Sequence, residues 1–144
     1  MKHILFPTDF SDAADCALPT ALELALTFDS RLTLLHVWSV PSSVYAEALT
    51  WPSDDMQRGA RAYLDAALED ARRSFPKTEA LLREGREWRQ ILAVVDELGC
   101  DLVVMGTHGR KGLSRVVLGN VAEKIVRLSR VPVLTVRVPE DPAE

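Results

Sequence analysis

Asp101-Leu-Val-Val-Met-Gly106-Thr-His-Gly109-Arg-Lys-Gly112-Leu-Ser-Arg-Val-Val-Leu-Gly119-Asn120 is the stretch on which the fold turns. It opens with the short apolar run Leu102 to Met105 and leads into a helical pattern beginning Val121-Ala-Glu-Lys-Ile125. Four of the chain's seven glycines lie between these two segments, so the backbone there can turn through positive φ and approach a bound group with no Cβ in the way. Arg110, Lys111 and Arg115 fall in the same loop, and no acidic residue occurs between Asp101 and Glu123, although the whole chain carries a formal charge of -4. A strand, a glycine-rich basic loop and a helix N-terminus in succession make an anion site, because free backbone N–H groups and the helix dipole both favour phosphate. A flexible basic surface loop is the alternative that glycine content alone leaves open. Lys111 is followed by Gly112 rather than Ser or Thr, and no G-x-G-x-x-G occurs, so neither a P-loop nor a dinucleotide fingerprint is present.

Before this stretch, Trp88, Ile91, Leu92, Val95 and Leu98 recur at helical spacing and stop at Gly99, a C-terminal cap. Trp88, on that stripe, is expected in the core. After it, a helix from about Asn120 to Ser129 leads to Val131-Pro-Val-Leu-Thr-Val-Arg-Val138, a last strand whose early Pro132 suits a sheet edge. Nearer the start of the chain, His3-Ile-Leu-Phe6, closed by Pro7, has the continuous apolar character of a buried parallel strand, with Asp9 at its carboxyl end. Ser11, Asp12 and Asp15 mark a helix start. The stripe Ala14, Ala17, Leu18, Ala21, Leu24, Ala25 and Phe28 continues that helix, while Pro19 predicts a kink or an early break. Arg31 to Trp38 is a second strand. Residues 39–59 hold no period; Tyr45 and Trp51 suggest a partly ordered flap, or simply aromatics pinning a loop to the body. Arg61 to Ser74 is helical, Thr78 to Arg83 makes a weaker edge strand, and the acidic end Pro139 to Glu144 is a tail. The expected organisation is therefore one domain over 1–138 and a tail over 139–144.

With 144 residues, 47% hydrophobic and 26% charged, the chain has the length and composition of a single globular domain. Its acidic balance argues against nucleic acid as a partner, since the 106–115 loop is too small a basic stripe for a duplex. No apolar run approaches the roughly 18 residues of a membrane span. The N-terminus passes directly into strand pattern, so the expected location is the cytoplasm. Cys16 and Cys100 are isolated and are expected to be reduced core or boundary residues.

Strands alternating with helices imply a parallel sheet covered on both faces, and ligands of such sheets bind beyond the carboxyl ends of the strands. Gly106-x2-Gly109-x9-Gly119 resembles the nucleotide-binding pattern of ATP-binding universal stress proteins, which is usually completed by Ser or Thr where this chain has Asn120. The opening Ile4-Leu-Phe-Pro-Thr-Asp-Phe-Ser11, the Leu-Leu-His-Val run ending at Val37 and the run from Asp101 to Gly109 are similar to that family too, so the resemblance covers nearly the whole chain. It implies a three-layer doubly wound α/β domain of the adenine nucleotide alpha hydrolase-like kind, with five parallel strands in the order 3-2-1-4-5. A flavodoxin-like order, 2-1-3-4-5, would instead bring Glu84-Gly-Arg-Glu87 against the first strand, where two carboxylates suit a phosphate poorly.

Guided by the resemblance, Pro7, Thr8 and Asp9 would lie by the nucleoside, with Asp9 near ribose or a phosphate-bound Mg²⁺. Val37 would offer backbone groups to adenine and Met105 would pack near the ribose. Gly106, Gly109, Arg110, Gly119, Asn120 and Val121 would surround the phosphates. For Asp9 the plain alternative is a turn or capping residue. Asn120 has two readings that do not exclude each other, a phosphate donor and the start of a capping box with Glu123. His108 is a loop residue, and His3 and His36 are expected to be structural.

The implied function is a homodimeric, cytoplasmic, ATP- and Mg-binding stress or signalling module, its dimer contact running through Val131 to Val138. One alternative is a dimeric interaction protein that binds no nucleotide. Another is an enzyme of the wider adenine nucleotide hydrolase group, with Lys111 as the nearby candidate. No Ser-His-Asp or Cys-His arrangement stands out, so slow ATP hydrolysis is the most the residues suggest.

Overall fold

The computed structural model describes residues 1–39, 53–107 and 119–138. The strands are β1 (His3–Pro7), β2 (Arg31–Trp38), β3 (Thr78–Glu84), β4 (Leu102–Gly106) and β5 (Val133–Val136). Between them lie helices α1 (Asp12–Phe28), α2 (Ser53–Ser74), α3 (Glu87–Leu98) and α4 (Asn120–Leu128). All the strands are parallel and their order is β3-β2-β1-β4-β5, so β1 and β4 are neighbours although most of the chain separates them.

Strand side chains alternate between the two faces, and both faces of this sheet are apolar. Ile4, Phe6, Leu32, Leu34, Leu102 and Val104 pack on one side with the alanine stripe of α1 and with Leu64, Ala71 and Phe75 from α2 and its end. Leu5, Leu35, Val37, Val103 and Met105 pack on the other, under Ile91, Val94 and Val95 of α3 and Ala122 and Ile125 of α4. Each fully buried Leu or Ile contributes about 2 kcal/mol of transfer free energy, and that two-sided burial determines which segments become elements.

The structure departs from the sequence expectations in three places. Helix α1 does not break at Pro19 but runs unbroken from Asp12 to Phe28. The proline ring is exposed and forfeits one intrahelical bond, while Ala14, Ala17, Ala21 and Ala25 are buried close against the sheet and hold the helix there. Helix α2 starts at Ser53, not Arg61, so residues 53–59 belong to it rather than to a flap. Asp54 and Asp55 sit in its first turn, where carboxylates favour the dipole, and Arg58 pairs with Asp55 across one turn. The rest of the expected flap, with Tyr45 and Trp51, lies outside the described residues, as does the tail over 139–144. Strand β5 is shorter than Val131 to Val138: Ser129 Oγ accepts from Val131 N–H and donates to Val131 C=O, and Pro132 has no N–H to offer a ladder.

The edge positions of β3 and β5 and the left-handed Gly99 cap on α3 are as expected. Trp88 is only partly buried, packed against the α3–α4 core with Lys124 Nζ 4.7 Å over its ring. Both cysteines are free; Cys100 is buried, but Cys16 is an exposed residue of α1 and neither core nor boundary.

Candidate functional site

In a parallel sheet of this order every helix begins at the carboxyl end of the strands, so helix N-termini collect at one end of the molecule. Between them, over the ends of β1 and β4, lies a cleft of about 190 Å³. Pro7, Thr8 and Asp9 line it from the end of β1, Val37 from β2, Met105 and Gly106 from β4, and Gly119, Asn120 and Val121 from the start of α4. Every expected site residue that the structure describes is thus on this one cleft, while Gly109 and Arg110 lie outside the described residues. Residues not anticipated from sequence also line it: Ser11, Ala13 and Ala14 of the α1 start, Leu35, Thr107, Ala122, and Glu87 and Ile91 of α3.

The α4 end supplies donors. Gly119, not Asn120, is the N-cap, and a glycine has no side chain with which to cap. The proposed Asn120–Glu123 box is therefore not formed: Asn120 is the first helical residue, and Glu123 N–H bonds to Gly119 C=O as the helix ladder begins. Among the described residues the N–H groups of Asn120, Val121 and Ala122 have no acceptor, as befits the donors of a first turn, and they lie at the positive end of the dipole on the cleft wall. Gly119 N–H itself donates to Thr107 C=O at 2.7 Å, which ties the helix start to the end of β4.

Gly106 has a packing reason besides the one its sequence context suggests. A Cβ there would meet Ala13 C=O oxygen at 2.6 Å and Ala13 C at 2.7 Å. This glycine lets β4 close against the first turn of α1, and it lines the cleft as well. Opposite, β1 pairing ends at Pro7 with Leu35, after which Thr8 N–H still donates to Leu35 C=O. Leu35 therefore faces β1, and Trp38, whose C=O accepts from Gly85 N–H, faces β3. Val37, two residues past Leu35, aims its N–H and C=O toward the β1 side beyond the end of that strand. Among the described residues neither group is paired, so one donor and one acceptor stand side by side at the cleft.

The β1–α1 turn is built tightly. Thr8 Oγ1 accepts from Phe10 N–H at 3.1 Å, Asp9 Oδ1 accepts from Ser11 N–H at 3.0 Å, and Ser11 Oγ caps Ala14 N–H at 3.2 Å. Asp9 thus performs the turn role, with its second carboxylate oxygen outside that bond. Phe10 takes a left-handed φ of 63°, an uncommon conformation for a bulky residue. Its ring lies 4.4 Å from that of His36 and 5.6 Å from that of Tyr63 of α2, which fixes the turn between β2 and α2. His36 Nδ1–H donates to Thr8 C=O at 2.8 Å, the structural role expected of it, though beside the site.

Glu87 is the residue sequence reasoning missed. It stands exposed at the rim as the first residue of α3, and the protein around it pushes its carboxyl above the usual range, first by partial desolvation and then by the charge of Asp9, with His36 opposing. The available signal was its place in the first turn of a helix that follows a parallel strand.

For a metal, the described residues contain no group of three or more His, Cys, Asp and Glu side chains. Mg²⁺ bound through substrate phosphates takes only one or two carboxylates and keeps waters, and Asp9 with one uncommitted oxygen fits that manner of binding.

The model of the Universal stress protein family matches residues 1–137. A universal stress protein of Methanocaldococcus jannaschii is 31% identical over 142 residues, covering 96% of this chain and 84% of that one. Among solved structures, a universal stress protein of Lactobacillus plantarum superposes with a TM-score of 0.79 at 23% identity, covering 94% of this chain and 97% of that one. A universal stress protein solved in complex with cAMP has a TM-score of 0.73 at 21% identity, with 94% and 96% covered. One from Archaeoglobus fulgidus in complex with dAMP has a TM-score of 0.68 at 21% identity, again with 94% and 96% covered. At these identities the solved structures speak for the fold.

Proposed function

The chain belongs to the universal stress protein family, and from that premise we propose that it is a nucleotide-binding module of the ATP-binding kind, taking ATP with Mg²⁺ at the cleft over β1 and β4. The observation that carries this reading is the uncapped start of α4. Three backbone donors at a helix N-terminus face a cleft whose far wall, at Val37, offers one donor and one acceptor. Those two features suit the two ends of an adenine nucleotide, phosphate at α4 and base at β2. Relatives of the same fold in complex with cAMP and dAMP support it.

In this reading the α4 start and the Asn120 amide hold phosphate oxygens. Gly109 and Arg110 add to that end, Met105 packs by the ribose, and Asp9 takes the ribose or the phosphate-bound Mg²⁺. Pro7 and Thr8 shape the wall, and Thr8 acts through the turn it ties rather than by touching ligand. The protein works by the difference between bound and free states, in the cytoplasm, with hydrolysis slow at most. Residues 1–138 act as one domain with 139–144 as a tail. It pairs as a homodimer along β5, a sheet edge without a neighbouring strand among the described residues, where Leu134 is exposed. A second reading, an interaction protein without nucleotide, is favoured by the two carboxylates, Asp9 and Glu87, that a polyanion would meet at the cleft.

Calorimetric titration of nucleotide-stripped protein with ATP, with and without Mg²⁺, tests this beside Asn120→Asp. The expected outcome is saturable binding that falls by roughly tenfold or more in the variant, whose carboxylate repels phosphate. The variant's thermal stability should be kept, since an acidic residue at a helix start favours the dipole. No binding at millimolar ATP by the folded wild type would leave the interaction protein.

A further inference from the structure

The reading above assigns no role to Glu87. Ile91 lies one helical turn beyond Glu87 on the same face of α3 and packs in one core cluster with Leu35 and Val37. Glu87, exposed at the helix start, therefore lies on the side of α3 that faces the end of β2, and it lines the cleft together with Val37. The charges that bear on its carboxyl are those of Asp9, from the β1–α1 turn, and His36, from β2. Among the described residues no cation pairs with it.

Resting on the nucleotide reading, we infer that Glu87 makes the cleft selective for 6-amino purines by closing the base slot, together with Val37 C=O, around the position of the purine 6-substituent. Adenine presents an acceptor at N1, which Val37 N–H satisfies, and an amino group with two hydrogens. One hydrogen goes to Val37 C=O and the other to the Glu87 carboxylate. An ionised carboxylate is an acceptor only. Hypoxanthine and guanine carry a carbonyl oxygen at the same position, so their lone pairs face two acceptors and their N1–H faces the Val37 N–H. The discrimination is repulsive as well as attractive, which is the usual way a site separates ligands of nearly equal size. An acidic group near the base is also compatible with a polyanionic ligand, because the phosphates lie at the opposite end, at α4. A carboxylate held in surroundings that disfavour its charge gains most from an N–H donor, and the adenine amino group is such a donor.

The experiment compares ATP and ITP, which differ at the purine 6-position, in calorimetric titrations of wild type, Glu87→Gln and Glu87→Ala. Wild type is expected to favour ATP by about tenfold or more. Glu87→Gln has nearly the same shape, and its amide can turn its NH₂ toward a carbonyl, so the preference should shrink to within about threefold, chiefly through tighter ITP binding. Glu87→Ala, which removes the repulsion and supplies no donor, should fall between the two. A preference unchanged in both variants would overturn the role of Glu87 while leaving ATP binding in place. A wild type that takes ATP and ITP equally well would overturn it also. Failure of the wild type to bind either nucleotide sinks the nucleotide reading itself, and the inference with it.

Discussion

The two ends of the sheet treat their polar groups in opposite ways. At the amino end they close on one another. Asp101 accepts from Lys2 N–H at 2.7 Å and His3 N–H at 3.2 Å, Asp101 N–H returns to His3 C=O, Arg31 N–H bonds Lys2 C=O, and Ser30 Oγ–H donates to Met1 C=O. At the carboxyl end the start of α4 has no capping side chain, Val37 presents unpaired backbone groups and Glu87 has no cation among the described residues. Leaving polar groups without partners costs free energy, and among the described residues that cost is concentrated at the carboxyl end. The amino end is spent on stability.

That contrast predicts which substitutions separate folding from binding. The largest effect is expected where the two roles meet, at Gly106→Ala, because the added methyl strikes the backbone of Ala13 rather than a flexible side chain. A loss of about 3 kcal/mol in denaturant unfolding is expected, accompanied by weaker ATP binding as β4 and α1 are forced apart. An unchanged unfolding midpoint would show that the close approach is not structural.

A smaller effect belongs to the amino end alone. Asp101→Ala leaves the Lys2 and His3 N–H groups without their acceptor and should lower stability by about 1 kcal/mol, the side chain being partly exposed, with the ATP dissociation constant unchanged. Burial by itself would raise the Asp101 carboxyl, but the Lys2 and His3 N–H groups hold it below the usual 3.8. Its contribution is thus present above that value and lost as pH falls through the folded one, so wild type and variant should converge in acid. A shift in ATP affinity in this variant would break the division between the ends.

The smallest expected effect concerns His3, buried with Nε2 at 2.7 Å from Thr33 Oγ1 and with Nδ1 unpartnered. Burial, then the charge of Arg31, lowers its pKa from 6.5. The unfolded chain takes up that proton more readily than the folded one, so stability is full above about 6.5 and declines as pH falls below it. Equilibrium unfolding between pH 7.5 and 5.5 should show this slope in wild type and a flatter profile in His3→Gln, and equal slopes would remove His3 from the account.

How much of this was legible in the chain follows the same division. Apolar runs such as Ile4 to Phe6 and Leu102 to Met105 announce buried parallel strands, and the family motifs at Pro7 to Asp9 and at Gly119 point to residues that the fold gathers on one cleft. What sequence reading missed depends on neighbours distant in the chain. Pro19 is tolerated because an alanine stripe presses against a sheet whose strands are drawn from both halves of the protein. Gly106 answers to Ala13 as well as to the cleft it lines. Asn120 falls one residue inside its helix, a distinction set by the Thr107–Gly119 bond. Glu87 becomes part of the site only once β3 is placed at the edge and α3 crosses back over β2.

The bond from Gly119 N–H to Thr107 C=O has one more consequence. The chain leaves the described scaffold at Thr107 and returns to it at Gly119 through that one bond, so the ends of the intervening segment are clasped by the scaffold itself. Lengthening such a stretch twofold costs only about 0.6 kcal/mol of closure entropy. A segment of another length can therefore be grafted between Thr107 and Gly119 at little entropic cost, provided the clasp itself is kept.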